Sequence, residues 1–365
     1  MNVMNGYFAH IEDPAWLDLI SRVPSDSYHL PGYLDACRLT GNDEIRVAIV
    51  IHDGIVTGLP LQIRPLPYDA DGFDAFSPYG YPCILSTAES EEQWRTAIGS
   101  LICFLKSENL IAVFLRAHPL LTSDSCLQAC ESFGALVYHG QTVYIPLSQS
   151  LDEIWKNTRR DHRSSINKLT AGGWRFVADD WGYFEDFLQM YEQTMSRLMA
   201  SKSYQFGREY YNRLRRGLGD TVKLHTVLDP EGIPAASGLF FQRNDIVQYH
   251  LASVSERHFS ASPNKLLVLE AVRFYKETGA GMFHLGGGVG AADDRLFYFK
   301  SGFSKHFARF YTSRIIIDRS KYDALCASHQ AQHSMVTDTD PSGFFPLYRA
   351  PLPLGNNVQS GVKAG

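Results

Sequence analysis

Two apolar runs, residues 45–52 and 55–64, are rich in Ile, Val and Leu and are separated only by Asp53-Gly54. Both positions of such a two-residue turn need φ > 0, so the pattern predicts a β-hairpin. Helical spacing of apolar positions follows at 91–106, then a short buried strand at 111–115. A second helix near 124–133 and a strand at 142–147 complete the first half. The second half repeats the plan. A helix is expected over 151–171, with Ser150 and Glu153 in capping-box spacing and Gly172-Gly173 as its stop. A strand near 174–178 leads to helices near 184–199 and 208–218. Three strands then follow at 223–228, 236–241 and 246–252. Ser262 and Pro263 have the residue types of N-cap and first helical position for a helix ending at Gly279. Strands at 282–285 and 307–317 close the pattern.

Two segments carry candidate chemistry. In 283–303, a short apolar strand runs into Gly286-Gly287-Gly288, then Asp293-Asp294, then an aromatic run carrying Lys300. Glycines let a backbone approach a ligand closely. Aromatics can wall a pocket, and one lysine can place a charge in it. The plainer reading is a strand, a loop and a core strand with an exposed lysine. In 151–171, Trp155, His162, Ile166 and Leu169 fall on one helical face. Lys156, Arg160 and Arg163 fall on a neighbouring face, with Arg159 at its edge. That face is either solvated or a platform for a polyanion. Tyr204 and Phe206 stand beside Lys202 and Arg208, an arrangement that can stack a base or fill a core.

Composition narrows the class. The 365 residues are 45% hydrophobic and 20% charged, enough apolar content for a large core in two or three domains. A net charge of −5 argues against a nucleic-acid coat over the whole surface but leaves room for a local basic groove. The N-terminus shows no basic, apolar leader pattern, and no apolar run nears the roughly 18 residues of a membrane span. The six cysteines are scattered, as expected for reduced thiols in a cytoplasm rather than a zinc site or disulfide framework. No metal is expected.

The order of several motifs resembles the Fem-type (FemABX-like) aminoacyl-tRNA-dependent transferases and the wider Fem-like N-acyltransferases of the GNAT superfamily. The carrying residues are Ser77-Pro78-Tyr79-Gly80-Tyr81, Arg116-Ala117-His118-Pro119, Trp155 with Arg159-Arg160, Tyr191-Glu192-Gln193-Thr194-Met195, Tyr204-Gln205-Phe206, Tyr210-Tyr211, and the closing LGGG and LFYFKSGF. They span roughly residues 28 to 318. The resemblance implies an α/β (α+β) fold of tandem GNAT-like domains, each a mixed, mostly antiparallel sheet flanked by helices. The expected halves are 1–148 and 149–318, the second carrying the donor site, with 319–365 packing back on the first.

The resemblance also implies a site. In a GNAT core two neighbouring strands splay apart to admit the acyl donor; here these are 246–253 and 282–287. The helix from Pro263, with Asn264 and Lys265 in its first turn, would face donor phosphate. Phe299-Lys300 matches the family's Phe-Lys pair, which places Lys300 as a cation against the esterified donor end. Leu251, Ala252 and Ser253 would offer backbone N–H groups. His250, Asp293 and Asp294 are the base candidates, and proton transfer assisted by the substrate itself is an equal alternative. The stretch before the Pro263 helix, Arg257 to Ser262, lacks the glycine loop common in coenzyme-A-dependent relatives. The expected co-substrate is therefore aminoacyl-tRNA, with no other cofactor. The expected acceptor is an amine on a cell-wall precursor, peptide or small metabolite. Acyl-CoA is the alternative donor, and a non-catalytic RNA- or glycan-binding protein the alternative of a different kind. The charged helical arm of peptidoglycan-bridge relatives is missing.

Overall fold

The computed structural model describes residues 4–38, 44–68, 70–197, 206–333 and 343–351. The first half runs β1 (Asn5–Ala9), α1 (Pro14–Arg22), α2 (Pro31–Cys37), β2 (Glu44–His52), β3 (Ile55–Pro65), β4 (Phe73–Phe76), β5 (Leu85–Ser86), α3 (Glu91–Ser107), β6 (Leu110–Arg116), α4 (Asp124–Glu131) and β7 (Ala135–Pro146). The second runs α5 (Leu151–Asn157), α6 (Arg160–Ala171), β8 (Arg175–Val177), α7 (Phe184–Arg197), α8 (Arg208–Leu218), β9 (Val222–Leu228), β10 (Pro234–Arg243), β11 (Ile246–Val254), α9 (Asn264–Glu277), β12 (Met282–Gly286), α10 (Arg295–Lys300), β13 (His306–Ile316) and α11 (Arg319–His333).

Local chemistry explains much of this. Asp53 and Gly54 both have positive φ, as the expected hairpin turn requires. Ser90 and Gln93 form a capping box at the start of α3, and Ser150 and Glu153 form one at α5.

The strands form one continuous sheet in the order β1-β2-β3-β4-β6-β13-β7-β12-β11-β10-β9-β8, with β5 beside β3. Every pair is antiparallel except β4–β6 and β11–β12, so each half holds one parallel pair in an otherwise antiparallel sheet. This is the tandem, mixed α/β plan. The centre is an exchange. Strand β13 lies between β6 and β7, and β7 lies between β13 and β12.

Opposite faces of the strands feed different cores. Val47 and Ile49 join Trp16, Tyr33, Phe187, Tyr211 and Phe241 in a core that draws on both halves. Ala48 and Val50 point the other way, against α3 and α4. Phe240 and Phe283 pack against α9. Helices α2 and α8 cross at Gly32 and Gly217. A Cβ on Gly32 would lie 2.2 Å from the Gly217 backbone, so only glycine permits this approach. The described part of the tail packs on the first half, where Tyr322, Leu325 and Tyr348 cover Leu66, Ile111 and Ala112.

Three local expectations are corrected. The helix over 151–171 is two helices. The chain turns extended at Thr158 (ψ 130°) and Arg159 (ψ 146°), so Lys156 does not continue the face of Arg160 and Arg163. The buried Thr158 hydroxyl donates to the Ile154 carbonyl, and the Arg159 N–H donates to the Gly302 carbonyl at 2.7 Å, which fixes the break. The aromatic run 295–300 is a short helix, not a strand, and its lysine is buried. Ser262 is left-handed (φ 57°) and makes no cap bond, and α9 starts at Asn264 after Pro263.

Candidate functional site

Strands β11 and β12 pair only over three positions, the last being Gln248 opposite His284. Beyond it β11 continues along β10 to Val254, while β12 stays with β7. The strands therefore diverge, and from Tyr249 onward β11 has no strand partner on this side among the described residues. Leu239 lies opposite Leu251 and Phe240 opposite Tyr249, so His250 is the extra residue of a bulge at the mouth of the splay. Ser253 is buried on this free half of β11, and its hydroxyl has no hydrogen-bond partner among the described residues.

The glycine turn lies across the splay. Gly286 has φ +75°, and a Cβ there would sit 3.3 Å from Lys300 Nζ and 3.6 Å from the Tyr81 hydroxyl. The lysine and the tyrosine thus converge on one backbone position. Lys300 Nζ donates to the Gly287 carbonyl at 2.7 Å. Burial pushes Lys300 down to about 8, opposed by the nearby Asp294 carboxylate. Asp294 caps α10, accepting from the N–H groups of Phe297 and Val289. Burial would raise its carboxyl, but these backbone donors and Lys300 outweigh that and hold it low. Phe299 lies behind the lysine, 5.5 Å from the His162 ring and 5.3 Å from Phe303.

Beneath the splay lies a buried polar chain that sequence reading missed. Asp26 Oδ2 accepts from Gln248 Nε2 at 2.7 Å and from His118 Nε2 at 3.0 Å, and Asp26 Oδ1 accepts from the Tyr28 N–H. Burial alone would raise the Asp26 carboxyl; the His118, His29 and Tyr28 contacts outweigh it and hold it low. An ionised carboxylate cannot donate, so every direction is set. Gln248 Oε1 must accept from His284 Nδ1–H at 2.7 Å, and His284 Nε2 must accept from Thr142 at 2.9 Å. His118 Nδ1 accepts from the Leu120 and Leu121 N–H groups, which leaves its proton on Nε2. Gln248 and His284 are also the last paired residues of β11 and β12, so the chain closes the apex of the splay. Its sequence signals were the Arg116-Ala117-His118-Pro119 motif and His284, which stands just before the glycine turn.

The structure brings some expected residues together and separates others. Lys300, Phe299, His250 and Ser253 gather around the splay. His250 is buried, stacked 4.3 Å from Phe241, with Tyr28 on Nδ1 and Tyr210 on Nε2. Burial drives it down to about 3, so it is neutral and its two nitrogens are occupied. Asn264 and Lys265 begin α9, and Lys265 bonds Ser165 at 3.1 Å and Asp161 at 3.5 Å. Arg159 stacks on Tyr298 at 3.8 Å and pairs with Asp161. Arg160 is exposed and Arg163 half-buried; Lys156 lies on the separate helix α5. Phe206 is buried and stacked on Tyr210 at 4.2 Å. Tyr204 lies outside the described residues. Among the described residues no group of three or more His, Cys, Asp or Glu could hold a metal ion, and no helix is long and apolar enough to cross a membrane.

Comparisons with known proteins agree with this geometry. Residues 156–300 match the acetyltransferase (GNAT) domain family. The fold is similar to that of FemX, with a TM-score of 0.66, 15% identity, and 88% of this chain and 99% of that chain covered. It is also similar to the C-terminal domain (DUF2156) of a putative lysylphosphatidylglycerol synthetase from Agrobacterium fabrum, at 0.54 and 14%, covering 88% and 95%. L-PGS from Bacillus licheniformis follows at 0.54 and 13%, covering 85% and 94%. No curated protein matches in sequence. The second half thus matches the acetyltransferase (GNAT) domain family, and the chain as a whole shares the fold of FemX.

Proposed function

We propose that this chain moves an aminoacyl group from aminoacyl-tRNA to an amine on a cell-wall precursor, peptide or small metabolite. Residues 1–148 and 149–318 form its two halves. The amine nitrogen attacks the ester carbonyl carbon. The new C–N bond forms, the C–O bond to the terminal ribose breaks, and the amine proton ends on the released ribose oxygen. Lys300, as a buried cation beside the glycine turn, is suited to hold the developing negative charge. The free edge of β11 supplies backbone N–H groups nearby. His250, neutral and bonded at both nitrogens, and Asp294, engaged as a cap, are poorly placed as bases. That favours proton transfer within the substrates.

The observation that carries the tRNA reading is the state of the cations near α9. Arg257 is paired with Glu231 and Lys265 with Asp161 and Ser165, and residues 256–261 form a 3-10 turn without a glycine loop. A coenzyme A pyrophosphate would find few donors there. The side chains of Arg160 and Arg163 have no ion pair or hydrogen bond among the described residues, which leaves them for a polynucleotide. The match to an acetyltransferase domain favours acyl-CoA as the second reading. The deciding experiment is product formation from a panel of amines with either aminoacyl-tRNA or acetyl-CoA, with and without ribonuclease. Turnover with aminoacyl-tRNA that ribonuclease abolishes is expected; ribonuclease-resistant turnover with acetyl-CoA would overturn it.

A further inference from the structure

Phe310, Thr312 and Arg314 alternate onto one face of β13. On the neighbouring β6, Arg116 lies opposite Thr312 and Phe114 opposite Arg314, on the same face. The reverse face of these strands, with Val113, Leu115 and Ile315, is buried against α3 and α4. At the far end, Ala112 and Ile316 are covered by α11 and Tyr348. Between that cover and Tyr81 the face carries half-buried Arg116 and Arg314 and buried Thr312, flanked by Phe114 and Phe310.

On its other side β7 contributes a bulge. Phe310 lies opposite Gly140 and Tyr311 opposite Tyr138, so His139 is the extra residue. Its Nε2 is 2.7 Å from the Thr312 hydroxyl. Across the register Arg116 lies opposite Thr312, and Arg314 is two residues further along the same face. Burial lowers the His139 pKa first, and the positive charges of Arg314 and Arg116 lower it further. Arg116 is held in place by the carbonyls of Ser77 and Pro78. The Arg314 side chain has no ion pair or hydrogen bond among the described residues, and its Nε is buried with no partner among them. A buried guanidinium N–H without an acceptor is costly, so such a site wants an anion.

The face leads to the splay. Phe310 packs 5.5 Å from Tyr81, whose hydroxyl shares the space beside Gly286 with Lys300. Four residues of strand separate Phe310 from Arg314, about 13 Å at roughly 3.3 Å per residue. We propose that Arg314, Arg116, His139 and Thr312 form a subsite for a phosphoryl group carried by the amine acceptor. This rests on the reading of Lys300 as the reacting centre. Two guanidiniums and a hydroxyl, reaching in from neighbouring strands, match a tetrahedral dianion better than a planar carboxylate.

The test needs no donor, so it stands apart from the tRNA question. Inorganic phosphate is titrated into the full chain while the His139 ring is followed by NMR, with acetate at equal ionic strength as comparator. A saturable His139 response to phosphate and not to acetate is expected. Arg314→Gln should weaken it about tenfold to a hundredfold, and Arg314→Lys less. Arg309→Gln, on the opposite face beside Asp124, should leave it unchanged. Circular dichroism confirms that each variant is folded. No saturable response in the wild-type protein, equal responses to phosphate and acetate, or undiminished binding in folded Arg314→Gln would each overturn the subsite.

Discussion

At Lys300 a cation has exchanged its hydration shell for the Gly287 carbonyl and a nearby carboxylate. Burial of this kind disfavours the charged form, which is why the amine titrates near 8. Activity and stability should then respond to pH in opposite directions. If transfer needs the cation, kcat/KM falls as pH rises through about 8. The folded pKa lies below the unfolded value of 10.5, so the folded chain sheds this proton first. The group's contribution to stability therefore rises between about 8 and 10.5. Lys300→Ala should lose about 10²–10³-fold in kcat/KM and lack the alkaline limb of the profile. A pH profile unchanged by the substitution would remove Lys300 from the mechanism.

At the scale of elements, α6 and α10 are joined through a glycine. A Cβ on Gly302 would lie 2.5 to 2.9 Å from three atoms of the His162 ring, which is itself hydrogen-bonded to the Phe299 carbonyl. Gly302→Ala must displace that ring and with it the segment carrying Lys300. A loss of about 1–3 kcal/mol in urea denaturation is expected, with kcat reduced more than KM is raised. An alanine variant of native stability and native kcat would show that the joint tolerates the methyl group.

Elements with local causes were legible in the sequence. Helix α8 has the expected bounds, and the Asp53-Gly54 hairpin follows from two turn residues. Elements decided by tertiary contact were not. The break at Thr158–Arg159 depends on a bond to Gly302, far along the chain. Strand β7 extends to Ala135 because the His139 bulge shifts the alternation that a period-two reading relies on. The divergence of β11 and β12 was expected from the family resemblance, and Lys300 lies beside the glycine turn because both belong to one short segment. The Asp26 chain was not, since Asp26 lies 92 residues from His118 and 222 from Gln248.

For the whole molecule, acid should act through histidines before carboxylates. His29 is lowered to about 4, His225 and His250 to about 3, and His284 well below its usual value, all chiefly by burial. Once unfolded, each binds a proton below about pH 6.5. The unfolded chain therefore binds more protons than the folded one as pH falls from 6.5 toward 4, and stability declines across that window. Each histidine contributes a slope of roughly 1.4 kcal/mol per pH unit. Urea midpoints measured from pH 7 to pH 4.5 should show an uptake approaching four protons on unfolding. An uptake below one would mean that these rings are charged or open to solvent in the native protein.

The exchange of β7 and β13 has a consequence for synthesis. While the chain emerges from a ribosome, β6 has its β4 neighbour early, but the strand on its other side is residues 306–316, made well after it. At about 5–20 residues per second, roughly 10–30 s pass between completion of β7 and completion of β13. For that interval two strand edges of the nascent first half stay open to foreign strands. This protein cannot finish its first half before its second, and a stalled or truncated message leaves an aggregation-prone intermediate rather than a folded N-terminal domain.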